Sequence, residues 1–168
     1  MYRYLVMTTK SSKKTLIMPE QITVSDTSSL IALVNIGEIE ILKTIYHNVV
    51  ITPEIAEEFG LEIPDWIKIE RANDETKMRL NLDLDKGESS GIALALENES
   101  SLLIIDEKKG RGIAKELGIR IIGILGVIIK AKEMGLVNQI RPLIEKLEKA
   151  GFRMSKKLKS KIMTRVGE

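Results

Sequence analysis

Beyond residue 21, short apolar runs rich in β-branched residues alternate with longer stretches of helical spacing. Residues 22–25, 49–51, 102–105 and 119–122 are runs too short for buried helices, and the pattern predicts strands. Residues 66–69 add an expected edge strand. Leu30, Ile31, Leu33 and Val34 recur at helical spacing until Gly37 breaks them. Residues 38–46 continue with Ile39, Leu42 and Ile45 on one face. Thr52-Pro53 opens a helix through residue 59, since proline lacks only an N–H that a first turn leaves unpaired. Further helices are expected over 85–97, 107–117, 123–134, 138–149 and 155–165. Strand alternating with helix predicts an α/β chain: a three-layer α/β/α sandwich with a central parallel sheet, followed by C-terminal helices. Residues 1–21 carry no clear period and read as a tail, in which Met18 is an alternative start. The expected organisation is therefore this tail, an α/β domain over 22–135, and a basic helical extension over 136–168 packed on or beside it.

Composition narrows the chemistry. A chain of 168 residues, 43% hydrophobic, can bury one real core. It contains no run of eighteen apolar residues, so no membrane span is expected. Nor does its N-terminus follow the secretory-signal pattern. Without cysteine, disulfides, thiolate zinc sites and cysteine nucleophiles are excluded together, and a cytoplasmic setting is expected. One histidine, His47, excludes a two-histidine metal site. Any bound metal must then take oxygen ligands, which favours Mg²⁺ or Mn²⁺. Net charge is only +2, yet Arg141, Lys146, Lys149, Arg153, Lys156, Lys157, Lys159, Lys161 and Arg165 crowd the C-terminal region. That region is either a phosphate-binding face or a solvated one.

The acids supply the candidate site. Asp26 and Asp106 each follow a predicted strand and so project from one edge of the sheet, where open α/β folds bind ligands. An Asp at such a position is also an ordinary helix cap, and Thr27-Ser28-Ser29 offers further capping hydroxyls. Glu58 lies on the helix after the second strand, and Glu88 in the first turn of its own helix, where a dipole partner is the plain alternative. Four carboxylates meeting at one edge repel unless protons or cations neutralise them. Hard divalent cations bind such oxygens, and a bound ion can activate water against a phosphodiester.

Four segments carry a resemblance to a known family. Val24-Ser25-Asp26-Thr27-Ser28-Ser29-Leu30-Ile31 resembles the opening of PIN domains. The stretch Leu84-Asp85-Lys86-Gly87-Glu88-Ser89-Ser90-Gly91-Ile92 resembles their central acidic helix, and Leu102-Leu103-Ile104-Ile105-Asp106-Glu107-Lys108-Lys109-Gly110-Arg111 their next strand and acidic turn. Gly118-Ile119-Arg120-Ile121-Ile122-Gly123 resembles the closing strand and helix, and the tail from Leu136 to Val166 resembles a prokaryotic subfamily related to VapC-type toxins. The resemblance implies a metal-dependent ribonuclease, often dimeric and often the toxin of a toxin–antitoxin pair, with RNA, an antitoxin protein and a second copy as partners. It implies Asp26, Glu88 and Asp106 as metal ligands, with Glu58 completing the catalytic quartet and Glu57 the alternative one residue away. Ser28 would support Asp26, and Glu107 would replace or assist Asp106. One departure stands out: Gly123 occupies the region where a further acid would follow the closing strand.

The remaining polar residues divide by context. Lys108, Lys109 and Arg111 follow Asp106 and are candidates for RNA-backbone contact or for a solvated helix face. His47 reads as a surface or capping residue, and Trp66 as a core or edge anchor rather than a base-stacking platform. The apolar helices over 30–45 would serve a dimer face or the core. A phosphatase of the haloacid-dehalogenase type needs an Asp two residues after its nucleophile, where this chain has Ser28. A binding module lacking catalysis remains the rival, motivated by Gly123.

Overall fold

In a computed structural model, residues 21–80 and 84–168 are described. The expected N-terminal tail, Met18 included, lies outside the described residues apart from Gln21. Five parallel strands form one sheet: β1 (Thr23–Ser25), β2 (Val49–Ile51), β3 (Ile67–Ile69), β4 (Leu102–Ile104) and β5 (Arg120–Ile122), in the order β3-β2-β1-β4-β5. The helices among the described residues are α1 (Thr27–Asn35), α2 (Glu40–Ile45), α3 (Pro53–Phe59), α4 (Asp74–Leu80), α5 (Lys86–Glu97), α6 (Lys108–Glu116), α7 (Ile124–Glu133), α8 (Arg141–Lys149) and α9 (Lys156–Val166).

Alternation along the strands separates two cores, because successive side chains leave opposite faces. Val49, Ile51 and Ile104 join Leu30, Leu33, Leu42, Ile128 and Ile144 in one. Val50, Leu103 and Ile105 join Ile92, Leu94 and Ala114 in the other. The sheet is thus covered on both faces, as a parallel sheet must be. Leu30, Leu33, Ile41, Leu42 and Ile45 are buried in the first core, so packing within the chain accounts for the apolar helices over 30–45.

One helix escaped the sequence pattern. α4 has no buried residue, hence no apolar stripe to betray a period, and Lys77 anchors it through ion pairs at 2.8 Å to both Glu54 and Asp74. Several predicted ends also move inward by one to three residues. Residues 138–140 precede α8 rather than belonging to it, and Asp85 and Ser155 are the caps of α5 and α9.

The C-terminal helices share the first core. Leu143, Ile144 and Leu147 of α8 and Ile162 and Met163 of α9 pack in the cluster that contains Leu30 and Leu33. The Glu168 carboxylate accepts from the amides of Ile140 (2.8 Å) and Arg141 (3.0 Å) and pairs with Lys132 at 3.0 Å, closing the start of α8. Part of the basic excess is neutralised locally, Lys159 by Glu148 at 2.6 Å and Arg165 by Glu133 at 3.3 Å. Because Leu147 is fully buried, Leu147→Ala should lower unfolding free energy by about 2–5 kcal/mol. Urea unfolding of the full chain reads this directly. A loss below about 0.5 kcal/mol would mean that α8 is not part of the cooperative core.

Candidate active site

Strand order reverses at β1. The chain passes from β1 outward to β2 and β3, and returns to place β4 on the other side of β1. A crevice is expected where connections leave adjacent strands in opposite directions. Asp26 and Asp106 stand at this point. Asp26 extends β1, its amide donating to the Ile104 carbonyl at 3.0 Å, and its side chain caps α1 by accepting from the Ser29 amide at 2.8 Å. Ser28 Oγ donates to Asp26 Oδ2 at 3.1 Å. Asp106 follows β4 by two residues and accepts from the Ile124 amide at 3.0 and 3.2 Å, at the start of α7. Ser29 Oγ donates to Asp106 Oδ2 at 3.3 Å. A single buried serine therefore bridges the two aspartates, its amide to one and its hydroxyl to the other.

Two glutamates approach from neighbouring helices. Glu58 on α3 accepts from Thr27 Oγ1 at 2.8 Å and from the Gly87 amide at 2.7 Å, joining the first turns of α1 and α5. Gly87 leaves room for it, since a Cβ at this position would collide with the Glu58 carboxylate where it now lies and push it away from the Gly87 amide. α3 is locked to α5 by the buried contact of Thr52 Oγ1 with Ser90 Oγ, 2.6 Å, and Ser90 also donates to the Gly87 carbonyl. Thr52 caps α3 and Asp85 caps α5. These caps fix where Glu58 and Glu88 leave their helices.

The electrostatics link the four acids. Burial, followed by the charges of Asp85, Glu107, Asp26 and Glu58, pushes the Glu88 carboxyl up to about 7. Burial also raises Asp26, with Asp106 contributing and the Ser29 and Ser28 hydrogen bonds opposing. Asp106 is raised by burial against the Ile124 and Ser29 hydrogen bonds and the charge of Arg111. Negative charge is thus concentrated here beyond what the surrounding donors offset. The oxygens belong to carboxylates and hydroxyls, the donor chemistry of a hard divalent cation. As they stand, no three His, Cys, Asp or Glu side chains among the described residues enclose an ion. The hydrogen bonds explain the spread: Asp106 is drawn to α7, and Glu58 to Thr27 and Gly87.

The other expected residues differ in exposure and in partners. Glu57 is exposed, and among the described residues it makes none of the contacts that Glu58 makes. Glu107 caps α6, accepting from the Gly110 amide at 2.7 Å, and its carboxyl is lowered by that bond. Lys108 and Lys109 are exposed at the start of α6. Arg111 turns inward instead: its guanidinium donates to the Ile105 carbonyl at 2.7 Å and sits beside Asp106. A structural role thus occupies Arg111, one of the expected RNA-backbone cations. At Gly123, a Cβ would lie 2.6 Å from Asp106 Oδ1, so glycine leaves the space the Asp106 carboxylate uses. His47 is exposed. Trp66 is half-buried against the first core and donates to Glu40 at 3.1 Å, an edge anchor.

Thr27, Ser29 and Gly87 were not singled out by sequence reasoning as site residues. The unbroken hydroxyl run after Asp26 and the glycine before Glu88 were the available signals. Among the described residues, no helix is long and apolar enough to cross a membrane. A family model described as PIN domain matches residues 22–168. No curated protein matches the chain.

Proposed function

Since this chain belongs to the PIN-domain family, we propose that it is a metal-dependent endoribonuclease that hydrolyses RNA phosphodiesters at the crevice between β1 and β4. The observation that carries this reading is the pair Asp26 and Asp106, bridged by Ser29 at the reversal of strand order, with Glu88 and Glu58 bringing further negative charge. Asp26, Glu88 and Asp106 would hold Mg²⁺ or Mn²⁺, and Glu58 would complete the quartet. When bound, such an ion lowers the pKa of water and offsets charge on the reacting phosphate.

The chain's own groups do the positioning. The Ser29 amide and the Ser28 hydroxyl fix Asp26, while the Ile124 amide and the Ser29 hydroxyl fix Asp106. Glu58 is tied to the start of α5, keeping its charge beside Glu88. Lys108 and Lys109, exposed at the same end of the sheet, would meet the RNA backbone. The PIN resemblance further favours a cytoplasmic toxin of a toxin–antitoxin pair, working as a homodimer with an antitoxin as its protein partner.

The test is cleavage of a single-stranded RNA by the full chain under Mn²⁺ titration. Cleavage should vanish with excess chelator and return when Mn²⁺ is restored. Cleavage unaffected by the chelator would overturn the reading. A second reading, a PIN-fold RNA- or protein-binding module with little turnover, is favoured by Gly123 in place of a late acid and by the separation of the carboxylates. It predicts RNA binding that is unchanged by Mn²⁺ and no cleavage at any concentration of the ion.

A further inference from the structure

We propose that Thr27, Ser28 and Ser29 are positioning residues, and that their three successive hydroxyls each hold a different acid of the site. Thr27 donates to Glu58 at 2.8 Å, Ser28 to Asp26 at 3.1 Å and Ser29 to Asp106 at 3.3 Å. The inference rests on the cation-binding reading above; beyond Ser28, which the family resemblance already implied beside Asp26, it adds Thr27 and Ser29, residues that serve helix capping in the plain view of the sequence.

Helix geometry makes the arrangement effective. Consecutive residues in a helix turn by about 100°, so neighbouring side chains fan out instead of sharing a face. Three adjacent positions can therefore reach three carboxylates that arrive from different places: Asp26 at the end of β1, Glu58 on α3 and Asp106 beyond β4. Each hydroxyl supplies one proton and so satisfies one oxygen of its acid. Asp26 is held at both oxygens, Oδ1 by the Ser29 amide and Oδ2 by the Ser28 hydroxyl. Glu58 is likewise held at both, Oε2 by Thr27 and Oε1 by the Gly87 amide.

Ser29 is the most telling member. It is 1% exposed, at a first-turn position between the exposed Ser28 and the buried Leu30. A hydroxyl buried there is unfavourable unless it is hydrogen-bonded, and its partner is Asp106, 77 residues away in the chain. The first turn of α1 thus sets the spacing between acids from distant segments. Groups that orient ligating carboxylates in this way govern metal affinity without touching the metal.

The test is Mn²⁺ affinity of the full chain by calorimetry, which needs no turnover. Thr27→Val and Ser29→Ala should each weaken Mn²⁺ binding about tenfold or more. Thr27→Ser keeps the hydroxyl and should stay within about twofold of the wild type, a rescue that a merely structural threonine would not give. Pair specificity supplies a second readout: Thr27→Val should weaken the wild type but add nothing in an E58A background, because the acceptor for its hydroxyl is then gone. The proposal is overturned if Thr27→Val and Ser29→Ala bind Mn²⁺ as the wild type does, or if Thr27→Val weakens E58A as much as it weakens the wild type. A wild type that binds no Mn²⁺ overturns the cation-site reading itself, and this result is separable from the other two.

Discussion

Asp106→Asn and Asp26→Asn should each slow metal-dependent RNA cleavage by about a thousandfold, the equivalent of several kcal/mol of charge stabilisation at the reacting phosphate. The substitutions preserve shape and remove charge. At Asp106 the loss is double. An Asn must still face the Ile124 amide and the Ser29 hydroxyl, both donors, so only its carbonyl oxygen can satisfy them and its NH₂ group is left facing the crevice. At Asp26, an Asn keeps the capping of α1 through its oxygen, so the helix should survive. Both wild-type carboxyls are raised by burial. Neutral replacements therefore relieve an unfavourable buried charge, and thermal unfolding without metal should occur at or above the wild-type temperature. Single-turnover cleavage alongside thermal unfolding separates the two effects. Cleavage within about tenfold of the wild type for both variants would remove these residues from the chemistry.

Glu88→Gln should make the metal-free protein more stable at neutral pH while abolishing cleavage. Burial and four neighbouring carboxylates raise the Glu88 carboxyl from 4.5 to about 7. A raised carboxyl binds its proton more tightly in the folded protein than in the unfolded chain. Its contribution is fully present below the unfolded value and is lost as pH rises through the folded one. The metal-free wild type should consequently lose stability between about pH 4.5 and 7 on account of this group. Glutamine does not titrate, so the variant's advantage should be present at about pH 8 and gone by about pH 4. Added Mn²⁺ should stabilise the wild type more at high pH than at low, and stabilise the variant less than the wild type. Thermal unfolding across that pH range, with and without Mn²⁺, checks each of these outcomes. A variant less stable than the wild type at about pH 8 would show that Glu88 is held by favourable contacts rather than by repulsion.

β1, β2 and β4 were legible because buried parallel strands read as apolar runs, and the edge strand β5 because Ile119, Ile121 and Ile122 give it a short β-branched run. Asp26 and Asp106 followed from those runs, since an acid immediately after a central strand has only the carboxyl edge of the sheet to occupy. α4 was illegible for the opposite reason: it is held by the ion pairs of Lys77 and has no fully buried residue, only Leu80 at its end resting on the second core. The choice between Glu57 and Glu58 turned on helix phase, and phase depends on the cap at Thr52, which the Thr52-Pro53 opening marked, and on the lock to Ser90, which no local pattern shows. Of the hydroxyl partners, only that of Ser28 beside Asp26 was expected, from the family resemblance, and those of Thr27 and Ser29 were beyond reach. An Asp three residues before a Ser is an ordinary cap, and nothing local reveals that Ser29 also meets Asp106 across the fold. Arg111 shows the same limit, since its spacing from Lys108 suggested a shared solvated face while its guanidinium binds the Ile105 carbonyl.

Crystals of the full chain soaked in Mn²⁺ and measured at the manganese edge bear most directly on whether these acids jointly hold a cation. The account predicts an anomalous peak in the crevice between β1 and β4, at about 2.0–2.3 Å from carboxylate oxygens of both Asp26 and Asp106, with Glu88 turned toward it. A map with no peak there, or with manganese bound only at acids elsewhere on the surface, would contradict it.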